Sequence, residues 1–109
     1  MHELAITESV VAAVTERLPE AKVTLVRLEI GALTGVVADS VRFCFDLVTE
    51  GTNLAGASLE IVEPAASCRC RSCLTVFVPD WPILMCSCGS ADVSVESGAD
   101  LRILSVKVA

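Results

Sequence analysis

Five of the six cysteines fall between positions 68 and 88, in the stretch "SCRCRSCLTVFVPDWPILMCSCGS". Cys68, Cys70 and Cys73 precede a twelve-residue spacer, and Cys86 and Cys88 follow it. Tetrahedral Zn(II) takes four soft donors at about 2.3 Å, and a tight turn carrying two sulfurs a few residues apart supplies two of them at once. Cys70 and Cys73 have CxxC spacing. Cys86 and Cys88 stand one residue closer, and Gly89 behind them lets the backbone fold beneath a metal. The pattern predicts a structural zinc site built from Cys70, Cys73, Cys86 and Cys88, with Cys68 as the alternative ligand. A segment of about thirty residues with Phe77, Trp81 and Ile83 as its main large apolar groups is too small for a core of its own. Metal must therefore supply its folding energy, on the order of 10 kcal/mol in comparable peptides. Trp81 suits an anchor for the module or for a partner surface.

Other uses of this segment fit less well. A catalytic zinc keeps one position open for water, usually beside a histidine or carboxylate, and the segment has no histidine. A thioredoxin-like role for "CRSC" would place it between a strand and a helix of a larger domain, without a second cysteine cluster. Arg69 and Arg71 alone do not make a basic nucleic-acid face. The chain carries a net charge of −6, which repels nucleic acid overall.

Around the cysteines the sequence reads as a small α+β unit. From Leu4 to Leu18 the residues Ile6, Val10, Val11, Val14 and Leu18 recur at helical intervals, and Pro19 ends the run. "VTLVRLEIG" alternates Val26, Leu28 and Ile30 on one face, a strand buried on one side. In "ADSVRFCFDLVTEG" Asp39 or Ser40 can cap a second helix, with Val41, Cys44, Phe45 and Val48 toward the core and Gly51 as its stop. Cys44 thus reads as a small core hydrophobe. Asp46 and Glu50 read as a solvated face. Strands are expected at 57–63 and 101–108. The order predicts two helices on a three-stranded sheet with an inserted zinc-ribbon-like module: residues 1–64 plus 99–109 as one domain, 65–98 as the other.

No stretch of about 18 apolar residues is present to cross a bilayer, and Glu3 and Glu8 stand where a secretory signal would carry lysines. The expected compartment is cytoplasmic, where thiols stay reduced and clustered cysteines bind metal rather than form disulfides.

His2 is the single histidine, one peptide bond from the amino terminus. In most chains a terminal histidine is merely solvated. At position two, however, an α-amine, the backbone nitrogen of residue 2 and imidazole Nδ1 can wrap one metal in fused rings once that nitrogen loses its proton. The result is planar, which suits Ni(II) or Cu(II) and not tetrahedral Zn(II).

Four stretches together, "MHELAITESVV", "LEIGALTGV", "VRFCFDLV" and "CRCRSC…CSCGS" followed by "LRILSVKV", resemble the HypA/HybF family of hydrogenase maturation factors across essentially the whole chain. The resemblance implies a nickel metallochaperone, not an enzyme, that helps insert Ni(II) into the large subunit of [NiFe] hydrogenase. It maps nickel onto Met1 through its amine, His2 through imidazole and backbone nitrogen, and Glu3 as a supporting or backbone donor. It maps zinc onto two CxxC pairs; Cys70 and Cys73 match, while Cys86, Ser87, Cys88 depart by a shortened knuckle, leaving Cys68 and Cys86 as rivals. It also implies a HypB-type GTPase and the hydrogenase large subunit as partners, with urease maturation proteins in some relatives; the expectation from charge and hydropathy is neither nucleic acid nor membrane, and a weak homodimer is allowed. The alternative from the residues alone is a zinc-ribbon adaptor that carries no transported metal.

Overall fold

The computed structural model describes residues 2–80 and 82–109; Met1 and Trp81 lie outside the described residues. Its elements run α1 (His2–Arg17), β1 (Val23–Ile30), a single 3₁₀ turn (Ala32–Thr34), α2 (Ala38–Val48), β2 (Ser58–Val62), β3 (Ser67–Cys70), β4 (Val76–Phe77), β5 (Val93–Ser97) and β6 (Leu101–Val108). The strands form two three-stranded sheets, ordered β2-β1-β6 and β4-β3-β5. The chain divides into two compact units, one of residues 1–28, 36–62 and 102–109, the other of 29–35 and 63–101. The α+β class with an inserted cysteine module is the one the sequence predicts.

In the first unit the apolar stripe of α1 buries Val10, Val11 and Val14, and α2 contributes Val41 and Phe45. Beneath them Val23, Val26 and Leu28 of β1 are wholly enclosed. Burying one such side chain stabilises the fold by about 1.5–3 kcal/mol, so this cluster holds helices to sheet. β1 is the central strand, and its ladder partners differ in direction. Lys22 accepts from the Ala109 amide at 2.9 Å and Lys107 accepts from the Thr24 hydroxyl at 3.2 Å, so β6 runs antiparallel. Lys22 bonds to the Ala55 carbonyl and Arg27 pairs with Glu60; both links join residues 33 apart, the constant offset of a parallel neighbour. The α2 crossover makes that parallel pairing reachable.

Three details differ from the sequence expectation. β1 is not buried on one side throughout: Glu29 is enclosed beside Leu28 and Ile30 at its end. α2 starts at Ala38 with Val37 as its cap residue and no side-chain cap bond from Asp39 or Ser40. Asp39 already lies in the first turn, where it pairs with Arg42 at 2.7 Å. Cys44 is half-buried and not in the core: Val41 and Phe45 are the enclosed residues of α2, and Cys44 sits about 100° round the helix from Phe45.

The loop after α2 carries a core residue that the pattern does not announce: Leu54 is fully buried. Beside it Asn53 ties the α1–β1 turn, its Nδ2 donating to the carbonyls of Leu18 at 2.6 Å and Ala21 at 2.8 Å. The Asn53 carbonyl in turn accepts from the Val23 amide at 3.0 Å. One side chain thus satisfies a carbonyl left over at the end of α1 and fixes the entry to the central strand.

In the second unit β3 pairs antiparallel with β4 (Cys68 opposite Phe77, Arg69 opposite Val76) and with β5 (Cys68 opposite Val95, Cys70 opposite Val93). The 29–35 segment is stapled to the ends of this module: the Gly31 amide donates to Asp100 at 2.9 Å, Ala32 to Pro64 at 3.1 Å, and Leu33 to Gly98 at 2.7 Å. Gly31 and Gly98 allow this approach because a Cβ on Gly31 would stand 2.3 Å from the Gly98 carbonyl oxygen. Backbone cannot yield as a flexible side chain would. Gly31→Ala should therefore destabilise the protein by about 1–3 kcal/mol or more, read as a lowered midpoint in urea denaturation. Asn53→Ala should cost about 1–2 kcal/mol in the same assay through loss of its two bonds to the Leu18 and Ala21 carbonyls.

Candidate metal centres

The cysteine module builds its site from two turns. In the first, Leu74 donates its amide to the Cys70 carbonyl at 2.9 Å, and the Cys73 amide points at Cys70 Sγ at 3.5 Å. In the second, Gly89 donates to the Cys86 carbonyl and Cys86 to the Ser90 carbonyl, both at 2.9 Å, with Gly89 at a φ of 92°. That left-handed conformation is where glycine carries no Cβ penalty. The hydroxyls of Ser72 and Ser90 meet at 2.9 Å, tying one turn to the other.

The sulfurs of Cys70, Cys73, Cys86 and Cys88 all lie within 4.8 Å of one another. Two edges are tighter: Cys70 to Cys88 at 3.7 Å and Cys73 to Cys86 at 3.6 Å. Four sulfurs 2.3 Å from a central ion would be separated by about 3.8 Å, so the donors and their spacing fit one tetrahedral Zn(II). The shortened C-S-C knuckle thus reaches the same centre as the CxxC knuckle. Cys68 is fully buried, lies between Phe77 and Val95 in the sheet register, and is outside this group of four.

Without a cation the thiols have unlike acidities. The Thr75 hydroxyl, 3.3 Å from Cys73 Sγ, and the Thr75 amide stabilise its thiolate, holding Cys73 down at about 6. The Cys73 amide likewise lowers Cys70. The Ser90 amide also favours a Cys88 thiolate, but the adjoining Cys86 and Cys70 sulfurs outweigh it and push Cys88 up to about 11. Crowded thiolates repel, and a dication relieves that repulsion while releasing the remaining protons. When bound, zinc would supply a fixed tetrahedral centre for both turns, leaving no ligand position for water.

At the amino end the structure separates two expected nickel residues by exposure. His2 begins α1 with its side chain in solvent, whereas Glu3 is 8% exposed. The Glu3 carboxylate accepts from the Val37 amide at 3.1 Å, and its carbonyl accepts from the Thr7 hydroxyl at 2.6 Å. The Val37 bond holds Glu3 down at about 2. Glu3 is therefore the remote partner of the α2 start, a role sequence reading missed because the two residues are 34 apart. An open hollow lined by Leu4, Ser40, Phe43 and Cys44 adjoins Glu3. Met1, the third expected nickel residue, lies outside the described residues.

Two predictions follow from this geometry. Cys86→Ser should lose stoichiometric zinc and expose the second unit to proteolysis, whereas Cys68→Ser should keep one zinc per chain in metal analysis. Because the folded Glu3 titrates below the ordinary carboxylate value, its stabilising effect is complete above about pH 4.5 and fades as pH falls toward 2. Acid denaturation of Glu3→Gln should lack that component, and NMR titration should place the wild-type Glu3 midpoint near 2.

Residues 1–108 match the family model described as "Hydrogenase/urease nickel incorporation, metallochaperone, hypA". The chain is 44% identical over 108 residues to a hydrogenase maturation factor HypA of Nostoc punctiforme, covering 99% of this chain and 96% of that one. It is 43% identical over 109 residues to the HypA of Geotalea uraniireducens, covering 99% of each. In fold it is similar to the solution structure of the Ni metallochaperone HypA from Helicobacter pylori, with a TM-score of 0.68 at 24% identity over 97% of this chain and 96% of that one. A second HypA solution structure gives 0.70 at 24% identity, covering 100% and 97%. Among the described residues no helix is long and apolar enough to cross a membrane.

Proposed function

The chain belongs to the HypA family of hydrogenase maturation metallochaperones, and from that premise we propose that it takes up Ni(II) at its amino terminus and hands it on for assembly of a [NiFe] hydrogenase large subunit. The donors are the Met1 amine, the His2 imidazole and backbone nitrogen, and the Glu3 backbone nitrogen. Zn(II) is the resident metal, held by Cys70, Cys73, Cys86 and Cys88. The chain acts as a carrier, not a catalyst, in the cytoplasm, with a HypB-type GTPase and the large subunit as its partners.

The observation that carries this reading is the opposite placement of His2 and Glu3 on one helical turn. His2 is in solvent, where a recipient can reach it, and the Glu3 carboxylate is occupied by Val37. Glu3 is thus better placed to offer a backbone nitrogen than a carboxylate oxygen. First-turn amides have no acceptor four residues back, so a metal can take the His2 amide without breaking a helix bond. The positive end of the helix dipole opposes a cation there. Both effects favour a site that binds and lets go, whereas the thiolate cage encloses its ion.

Nickel titration by calorimetry tests this. His2→Ala, or an amino-terminal extension that blocks the amine, should abolish stoichiometric nickel binding while leaving zinc content at one per chain. Undiminished nickel uptake by both variants would overturn the assignment.

A further inference from the structure

The tip of the first zinc turn is built at a cost that metal binding does not require. Leu74 has a φ of 65°, the one non-glycine residue in the left-handed region among the described residues, and it is 69% exposed. The second turn puts Gly89 at its own left-handed position after its second cysteine. A leucine there carries a steric penalty that glycine avoids and presents an apolar side chain to water. Strain of this kind persists where it has a use.

Leu74 does not stand alone. Val76 on β4 is 50% exposed and Val78 just beyond it is 74% exposed, so the period-two positions through "LTVFV" turn apolar groups outward. Phe77, on the alternate face, is the half-buried one. On a strand with one solvated face the outward positions are ordinarily polar. β4 is also the edge of its sheet.

Charge indicates what would cover this edge. The second unit carries six carboxylates (Glu29, Glu63, Asp80, Asp92, Glu96 and Asp100) against two arginines, a net of −4 before any thiolate is counted. Both arginines are already paired, Arg69 with Glu96 and Arg71 with Asp92, each at 2.8 Å. Four thiolates around one dication would add two further negative charges. Glu29 is buried, but the other five carboxylates still outnumber the two arginines, so the unit as a whole repels another copy of itself and attracts a basic partner.

We propose that Leu74, flanked by Val76 and Val78, is the anchor by which the zinc unit docks onto a protein partner that presents an apolar socket rimmed by lysine and arginine. This deepens the delivery reading and rests on it: the zinc turns position a partner while the amino terminus carries the nickel.

Leu74→Gly separates docking from folding. Glycine removes the strain and the apolar group together, so this variant should retain zinc against a chelator at least as well as the wild type and bind nickel unchanged. In cells lacking the native protein it should nevertheless lower matured hydrogenase activity by about tenfold or more, the usual effect of deleting an interface anchor. Leu74→Met, which keeps an apolar reach, should restore most of that activity. A photoreactive benzoyl group in place of the Leu74 side chain should crosslink, in those cells, to a peptide whose apolar residues are flanked by Lys or Arg. Higher ionic strength should reduce the yield. Full maturation by Leu74→Gly would overturn the proposal. So would a crosslink to a second copy or to an acidic peptide, or no crosslink at all. If the wild-type chain itself failed to support maturation, the delivery reading would fall, and crosslinking would still decide the docking site.

Discussion

Four sulfurs drawn to within 4.8 Å of one another cannot all ionise unless a cation lies among them, and the second unit is organised around that condition. Its sheet is small: β3 has four residues, β4 two and β5 five. Cys68, Cys70 and Cys86 count among its few buried groups. A unit of this size gains little from apolar burial and must draw its cohesion from metal–thiolate bonds. The staple of residues 29–35 adds backbone bonds from a distant part of the chain and fits only because two glycines meet where any side chain would collide.

The first unit is held by different means. Its aliphatic cluster is made of Val, Leu and a single Phe, in keeping with a chain that is 4% aromatic. Polar groups there do local work at element ends: Asn53 closes the turn into β1, and Glu3 takes the free amide at the start of α2. The two metals proposed for the chain divide along the same line. Zinc goes to soft donors that fold a unit around it, and nickel to nitrogen donors on a helix that is folded already.

Much of this architecture is legible from residue order because it rests on local periodicity. The α1 and α2 stripes, the alternation in β1, and β6 at Leu101–Val108 follow directly from spacing. The four clustered cysteines are legible for another reason: sulfur pairs separated by a short spacer have few other uses in a reduced chain. What escapes is non-local. The strands between Ser67 and Ser97 are hidden because metal spacing, not hydrophobic alternation, sets where their residues fall. The α2 start could not be placed from Asp39 or Ser40, since its acceptor comes from the first turn of α1. Leu54 and Asn53 sit in a loop of polar appearance, where no period distinguishes a buried residue from an exposed one.

The bond from Val37 to Glu3 bears on how the protein can be handled. A helix without a cap of its own borrows its beginning from a residue three positions into the chain. Trimming that removes Glu3 would take away the acceptor of the Val37 amide and so loosen the start of α2. The first turn of α1 and the beginning of the second helix are thereby tied together, so a chain cut back past Glu3 would have a differently anchored first unit.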